Sequence, residues 1–168
     1  MSGVVPEAIR HFIQSHFTLT LATASGDLPW AAALYYVSDS DLNLYFISDP
    51  NARHVLDGLR SGTVAVAIHG AHQSWALIRG VQMQARLAEI GPGDRGRVEQ
   101  LYLARFTDVG MIVRSPDGAT QARIAEKFAG SVFYRVTPMR LRYIDNARGF
   151  GKPEEFDLTH AGVIRPNQ

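Results

Sequence analysis

Cysteine is absent from this sequence of 168 residues. Its absence excludes a disulfide-stapled fold, cysteine-ligated zinc, an iron–sulfur cluster and a thiol nucleophile. Long apolar runs are absent as well, because nowhere do about 18 uncharged apolar residues follow one another, as a membrane-spanning helix requires. The first dozen residues also lack the apolar segment of an export signal. The sequence therefore predicts a cytoplasmic protein without a membrane partner.

An excess of charge of one sign is also missing, since the formal net charge is +1 and basic and acidic residues are interleaved. A nucleic-acid-binding domain usually carries a concentrated basic patch. The densest basic stretch, residues 135–142, alternates basic with apolar residues, which is typical of the solvent-facing side of a strand. We therefore expect no nucleic-acid partner.

The sequence does not predict a metal site. His69 and His72 are separated by a turn that contains Gly70, so they do not share one face of a helix. No cysteine or carboxylate lies close to them in the sequence to complete a ligand set. A pair of turn histidines is the simpler interpretation.

Alternation of apolar and polar residues with a period of two recurs along the chain and is typical of β-strands. Strands are predicted at residues 17–22, 30–37, 42–47, 63–68, 75–87, 131–136 and 139–144, with a bend in the 75–87 strand at Gly80. Helical spacing predicts helices near residues 5–16, 51–60, 98–106 and 124–128. In the second helix, Ala52, Val55, Leu56 and Leu59 form the apolar stripe that we expect to face the core.

This order of elements predicts a single domain over residues 1–168, with an irregular tail from about residue 146. The predicted class is mainly β, an antiparallel barrel of six to seven strands with peripheral helices. Short antiparallel steps, with a helix between the third and fourth strands, do not fit a stack of parallel βαβ units. Closure of the sheet would also remove exposed strand edges.

Several local sequences match a known family. The opening strands, TLTLATASGDLPWAAALYYV, and the third strand with its helix, LYFISDPNARHVLDGL, resemble the FMN-binding split barrels related to pyridoxamine 5'-phosphate oxidase. The segment RGVQMQARL resembles the long strand of that family, and YIDNARGFGKPEEF resembles the ending of a small uncharacterised bacterial branch. The resemblance implies the split-barrel fold, bound FMN or another flavin, and a homodimer with the flavins at its interface.

An anion site is predicted where the third strand meets the second helix. Ser48 offers a hydroxyl, the helix start offers unpaired N–H groups, and Arg53 and His54 extend from its first turn. The resemblance makes the anion the FMN phosphate, with Arg53 and His54 in the place of the family's basic pair. His54 and Ala32 differ from the basic residues usual there, and Asp49 adds negative charge nearby. The alternative is an ordinary capped helix with a solvated Arg53.

The flavin ring requires a flat apolar wall close to the main chain. The three small residues Ala31, Ala32 and Ala33 on the second strand suit such a wall, and Tyr35 and Ile47 are expected to flank it. Three alanines in a strand can equally serve packing alone. We also expect that truncating Arg53 weakens FMN binding and leaves folding almost unchanged, because Arg53 lies off the apolar stripe.

Three functions remain open from the sequence. The first is a flavin-dependent oxidoreductase acting on a small-molecule substrate, with no catalytic side chain identified. The second is a non-catalytic flavin-binding or storage module. The third is a haem-handling split barrel, with His160 in the tail as the candidate iron ligand. Phe150, between Gly149 and Gly151, either folds over a pocket or pins the tail.

Overall fold

A computed structural model of the protein describes residues 4–71 and 74–159. Within these residues the chain forms eight strands and five α-helices. The strands are β1 (Thr18–Ser25), β2 (Leu28–Tyr35), β3 (Val37–Ser38), β4 (Leu44–Ser48), β5 (Thr63–His69), β6 (Arg79–Glu89), β7 (Val132–Asp145) and β8 (Glu154–Asp157). The helices are α1 (Glu7–Ser15), α2 (Arg53–Ser61), α3 (Pro92–Arg105), α4 (Thr107–Arg114) and α5 (Gly118–Ala129).

The eight strands form one curled antiparallel sheet. Neighbouring strands follow the order β2-β1-β5-β6-β7-β4-β3, and β8 pairs with β7 outside this path. The end strands β2 and β3 do not pair with each other, although β2 approaches β4. The sheet is therefore an antiparallel barrel that stays open along one seam, with helices at its periphery, which confirms the predicted fold class.

Two hydrophobic clusters stabilise this arrangement. The first fills the barrel with the inward-facing residues of the strands, such as Leu21, Phe46 and Val66, together with apolar residues of α1. The second lies on the other side of β4 and β7, under α3, α4 and α5, and includes Tyr45 and Phe133. Because side chains alternate along a strand, β4 contributes to both clusters, one from each face.

Helix α2 lies against β1, β2, β5 and β6. Its predicted apolar stripe is only partly correct, because Val55 is buried while Leu56 and Leu59 are 46% and 39% exposed. The buried face instead includes Asp57 and Gly58. A Cβ on Gly58 would lie only 2.6 Å from Leu87 Cδ2. The missing side chain is what allows the helix to approach the sheet this closely.

The strand predicted at residues 75–87 is interrupted. Residues Trp75–Leu77 form a short 3-10 helix, and β6 begins only at Arg79. Gly80 lies near the start of β6, where it pairs with His69 of β5 and Ile144 of β7. Glycine suits this close approach, because a Cβ would lie 3.2 Å from the Ile68 carbonyl oxygen of β5.

The two strands predicted on either side of Pro138 are one continuous strand, β7. Its register with β6 shifts between Gln84 and Ala85, which pair with Arg140 and Pro138 respectively. Proline lacks the N–H that a ladder needs, so a bulge beside it keeps the strand unbroken. The long β7 then pairs with β4 through its first part and with β8 through its last.

Three further elements differ from the sequence-based expectation. The predicted 30–37 strand divides into β2 and β3, and the helix α4 was not predicted. The tail after residue 146, predicted to be irregular, contains β8. No helix in the described ranges is both long enough and apolar enough to cross a membrane.

Candidate functional site

The junction between β4 and α2 is the centre of the candidate site. β4 ends at Ser48, a four-residue turn follows, and no side chain caps the start of α2. The turn holds its own shape, because the carboxylate of Asp49 accepts a hydrogen bond of 2.8 Å from the backbone N–H of Asn51. The N–H groups of Ala52 and Val55 donate to the carbonyl oxygens of Asp49 and Ala52, so those of Arg53 and His54 are left to attract an anion.

Ser48 and His54 face each other across this junction. Ser48 points to the inside of the barrel with Phe46, and its Oγ lies 2.9 Å from His54 Nε2. Burial lowers the pKa of His54, so its ring is neutral near pH 7. This pair joins two of the predicted site residues through a direct hydrogen bond.

Tyr134 is connected to this pair through the ring of Phe46. Its ring stacks on Phe46, with centroids 5.4 Å apart, and the Phe46 ring is 6.2 Å from the His54 ring. The Tyr134 side chain is fully buried, and its hydroxyl has no hydrogen-bond partner within the described structure. Burial raises the pKa of Tyr134, and the charges of Glu89 and Asp49 raise it further. The hydroxyl is thus an orphaned polar group within electrostatic reach of the turn before α2.

Arg53 does not stand free at the helix start. Its Nε donates to Asp57 Oδ2 at 3.3 Å, and Nη2 lies 3.5 Å from the carbonyl oxygen of Leu28. The guanidinium carbon is 4.6 Å from the centre of the Trp30 ring. Arg53 is therefore turned along α2 toward the β1–β2 hairpin, and it flanks the Ser48–His54 junction rather than facing it.

The two faces of β2 have different surroundings. Trp30 and Ala32 pair with Thr23 and Leu21, which are both buried, so they face the barrel side. Ala31, Ala33 and Tyr35 lie on the opposite face and are exposed. Alternation along a strand therefore separates the three alanines of the predicted wall, and Ala32 alone shares a face with Trp30.

Tyr35 and Ile47 lie apart from the Ser48–His54 junction. Ile47 is on the opposite face of β4 from Ser48 and packs into the second hydrophobic cluster. The Tyr35 ring meets the edge of Phe106, a member of that same cluster, at 5.4 Å. The structure thus brings Ser48 and His54 together, places Arg53 beside them, and leaves Tyr35 and Ile47 under the helical side of the barrel.

A groove of about 580 Å³ runs over the outer face of the sheet. The residues that line the groove are neighbours across paired strands. Ala65 and Ala67 on β5 pair with Gln84 and Gln82 on β6. These glutamines pair in turn with arginines on β7. The β7 arginine Arg142 is 3.7 Å from a carboxylate of β8. The groove residues are Thr20, Ala22, Ala65, Ala67, Gln82, Gln84, Arg140, Arg142, Glu155 and Asp157, with backbone between them. Its floor is small and apolar, and one wall is polar.

Sequence reasoning missed Asp57, Trp30 and Tyr134. Asp57 follows Arg53 by four residues, a spacing at which opposite charges pair on a helix, so this ion pair could have been predicted from the sequence. The side of β2 that Trp30 occupies follows from strand alternation once the buried face is known. No local signal marks Tyr134, because the stack on Phe46 depends on the pairing of β4 with β7. His72 and His160 lie outside the described residues.

No protein-family model matches the chain. A UPF0306 protein of Klebsiella pneumoniae (strain 342) is 27% identical over 146 residues, which cover 86% of this chain and 88% of the relative. The chain is thus similar to proteins whose name states no activity.

Three solved structures have a similar fold. A Listeria innocua protein described as a candidate pyridoxamine 5'-phosphate oxidase has a TM-score of 0.61 at 17% identity, over 82% of this chain and 96% of that one. An FAD-binding protein of Mesorhizobium loti has a TM-score of 0.60 at 18% identity, over 82% and 90%. A haem-binding protein of Mycobacterium smegmatis has a TM-score of 0.64 at 15% identity, over 92% and 60%. At these identities the likeness establishes the split-barrel fold.

Proposed function

We propose that this protein is a flavoprotein that binds FMN beside the junction of β4 with α2, that it forms a homodimer, and that it acts as an oxidoreductase on a small molecule. The observation that carries the proposal is the junction of β4 with α2. There, an uncapped helix start lies next to the Ser48–His54 pair, and the Tyr134 hydroxyl, partnerless in the described structure, is within electrostatic reach of the turn before the helix. The FAD-binding and oxidase-named neighbours in the same fold support a flavin ligand.

The phosphate end of FMN fits this junction. The first N–H groups of α2, the Ser48 hydroxyl and the His54 ring are the donors that a phosphate monoester requires. The guanidinium of Arg53 flanks them and adds positive charge, although Asp57 holds its Nε side. We therefore assign Ser48 and His54 to the phosphate contact and Arg53 to the rim of the site.

The ring end fits the barrel-facing side of β2. The small Ala32 shares a face of β2 with Trp30, which is 45% exposed and is covered on one side of its ring by Arg53. An aromatic platform next to a small residue suits a flat ring. FMN would supply the redox chemistry, while the chain binds the phosphate, orients the ring and shields it from water.

A second copy is expected on the outer face of the sheet. Ala31 and Ala33 of β2 and Ala65 of β5 are exposed, Ala22 of β1 joins Ala31 to Ala65 across the sheet, and the groove continues this apolar strip toward the arginines of β7. Small side chains permit close approach between two sheets, and the polar wall supplies contacts at the rim. A homodimer through this face has one isologous interface, in which the same residues serve both partners.

The test is the identity of the small molecule that copurifies with the protein, followed by titration with FMN and riboflavin. We expect flavin absorbance, a mass matching FMN, and tighter binding of FMN than of riboflavin. Oxidation of NADH or NADPH by the loaded protein would support the oxidoreductase, whereas tight FMN without turnover would reassign it as a flavin-storage module. A Soret band with no flavin, or no binding of either flavin, would contradict the proposal.

A further inference from the structure

We infer that the anion site at the start of α2 is proton-coupled, so that a phosphate group binds there together with a proton taken up by His54. The inference rests on the proposed function, in which FMN brings the phosphate. It assigns to His54 a regulatory role, because the site holds its ligand tightly only when this one side chain is charged.

The hydrogen bond between Ser48 and His54 has a direction that the proton can reverse. With a neutral ring protonated on Nδ1, Ser48 donates its hydroxyl hydrogen to Nε2 across the 2.9 Å separation. That hydrogen is then unavailable to an anion. When Nε2 takes up a proton, Nε2–H donates to Ser48 Oγ, and the hydroxyl hydrogen is free to turn toward the phosphate. One proton therefore adds a positive charge and releases a donor.

The surrounding charges make this proton necessary. On α2 itself, Arg53 is engaged by Asp57 and Trp30. The turn before the helix contributes Asp49, which is exposed and negative. A phosphate that met a neutral His54 would face this carboxylate with two favourable groups, the helix start, which is equivalent to roughly half a positive charge, and the Arg53 guanidinium, which Asp57 already partly neutralises.

From β7, Tyr134 adds no charge, and Glu89 at the end of β6 is close enough to raise the pKa of Tyr134. These groups, with Asp49, supply no fixed cation that would replace a charged His54. The Tyr134 hydroxyl is buried without a partner in the described structure, and it lies close enough to Asp49, in the turn before α2, for that carboxylate to raise its pKa.

The direction of the pH effect follows from linkage. Burial lowers the pKa of His54 in the free protein, and a bound phosphate dianion raises it. Binding is therefore strongest below the free-state pKa of His54 and weakens as pH rises toward its pKa in the complex, by up to about tenfold per pH unit. Riboflavin lacks the phosphate, so its affinity should not share this dependence.

The experiment titrates FMN and riboflavin into the full chain by flavin fluorescence, between roughly pH 5.5 and 8.5, around the ordinary histidine pKa of about 6.5. His54→Lys keeps a fixed charge and should bind FMN with a flatter pH profile than wild type. His54→Gln should bind FMN weakly at every pH. His11→Gln, which removes an exposed histidine of α1, is the matched control and should behave as wild type. The FMN phosphate itself titrates near pH 6. Its contribution to the pH profile is the same for every variant, so it cancels when the variants are compared.

A second readout uses the wild-type protein alone. The pKa of His54, followed by NMR of its ring, should rise on addition of FMN and stay unchanged with riboflavin. FMN binding with the same pH profile in wild type and His54→Lys, or no rise in the His54 pKa, would overturn the inference and leave the flavin proposal standing. Failure of both flavins to bind at any pH would overturn both.

Discussion

Arg53 and Asp57, one helical turn apart on α2, form an ion pair in which the guanidinium Nε lies 3.3 Å from a carboxylate that is only 7% exposed. Arg60 approaches the other oxygen of the same carboxylate at 3.6 Å. Asp57 therefore depends on two arginines for its charge compensation. This changes the expected role of Arg53, which the sequence alone presents as a side chain free to meet a ligand.

The first prediction concerns stability. Arg53→Ala should lower the free energy of unfolding by about 1 to 2 kcal/mol, because a nearly buried carboxylate loses a partner while Arg60 remains. Arg60→Ala is the matched control, and its loss should stay under about 1 kcal/mol, since this arginine is more exposed and more distant. Urea unfolding of both variants measures the difference. Equal losses of unfolding free energy would show that Arg53 stabilises Asp57 no more than Arg60 does.

The same substitution also tests the ligand role of Arg53. Because the guanidinium flanks the Ser48–His54 junction, we expect its removal to weaken FMN relative to riboflavin by less than about tenfold, below the loss expected for a direct charge-assisted phosphate contact. Parallel titrations of the two flavins into wild type and Arg53→Ala measure the ratio. A phosphate-specific loss much beyond tenfold would place Arg53 back in direct contact with the phosphate.

The second prediction concerns the contact of α2 with the sheet. Gly58→Ala places a Cβ 2.6 Å from Leu87 Cδ2 and 3.1 Å from Val64 Cγ1, so overpacking should destabilise the protein by about 1 to 3 kcal/mol despite the better helix propensity of alanine. Gly96→Ala on α3 meets no atom within 4 Å and should instead stabilise by roughly 0.5 to 1 kcal/mol. Thermal or urea unfolding compares the two. A neutral Gly58→Ala would mean that α2 shifts to accommodate the methyl group.

The third prediction concerns alkaline pH. The Tyr36 hydroxyl donates to the Ile13 carbonyl of α1, and burial raises the pKa of Tyr36 above its usual range against the opposing charge of Arg105. Above about pH 10 the unfolded chain ionises this tyrosine while the folded protein does not, so stability falls as pH rises.

Tyr36→Phe should therefore cost about 1 kcal/mol at neutral pH through the lost hydrogen bond, and flatten the alkaline decline by up to about 1.4 kcal/mol per pH unit. Urea unfolding at a series of pH values tests both. Tyr35→Phe, at an exposed position, is the control and should run parallel to wild type. A parallel decline in Tyr36→Phe would exclude Tyr36 as its source.

The fourth prediction concerns the outer face of the sheet. Ala65→Arg places a long cation in the middle of the proposed interface, so it should convert a dimer to a monomer without unfolding the chain, because Ala65 is exposed. Ala104→Arg, at an exposed position of α3, should leave the dimer intact. Sedimentation of the three proteins decides. A wild-type monomer in the presence of FMN would contradict the dimer.

The sequence by itself determined the mainly β class, the helix between the third and fourth long strands, and the closeness of Ser48 to His54. These depend on strand alternation, helical spacing and short chain separation, which act locally. The sequence could not show that Ile47 faces away from Ser48 or that Ala31 and Ala32 lie on opposite sides of β2, because the buried face of a strand depends on its partners.

Only the tertiary structure decided which groups reach the site. Arg53 contacts Trp30 because α2 lies on the β1–β2 hairpin. Tyr134 stacks on Phe46, next to His54, because β7 pairs with β4 although the two strands are distant in the sequence. Both contacts join segments that are distant in the sequence, and the packing of the whole barrel determines how close these segments come. Local sequence specifies the donors of the Ser48–His54 junction, whereas long-range pairing and close packing determine their charge, burial and partners.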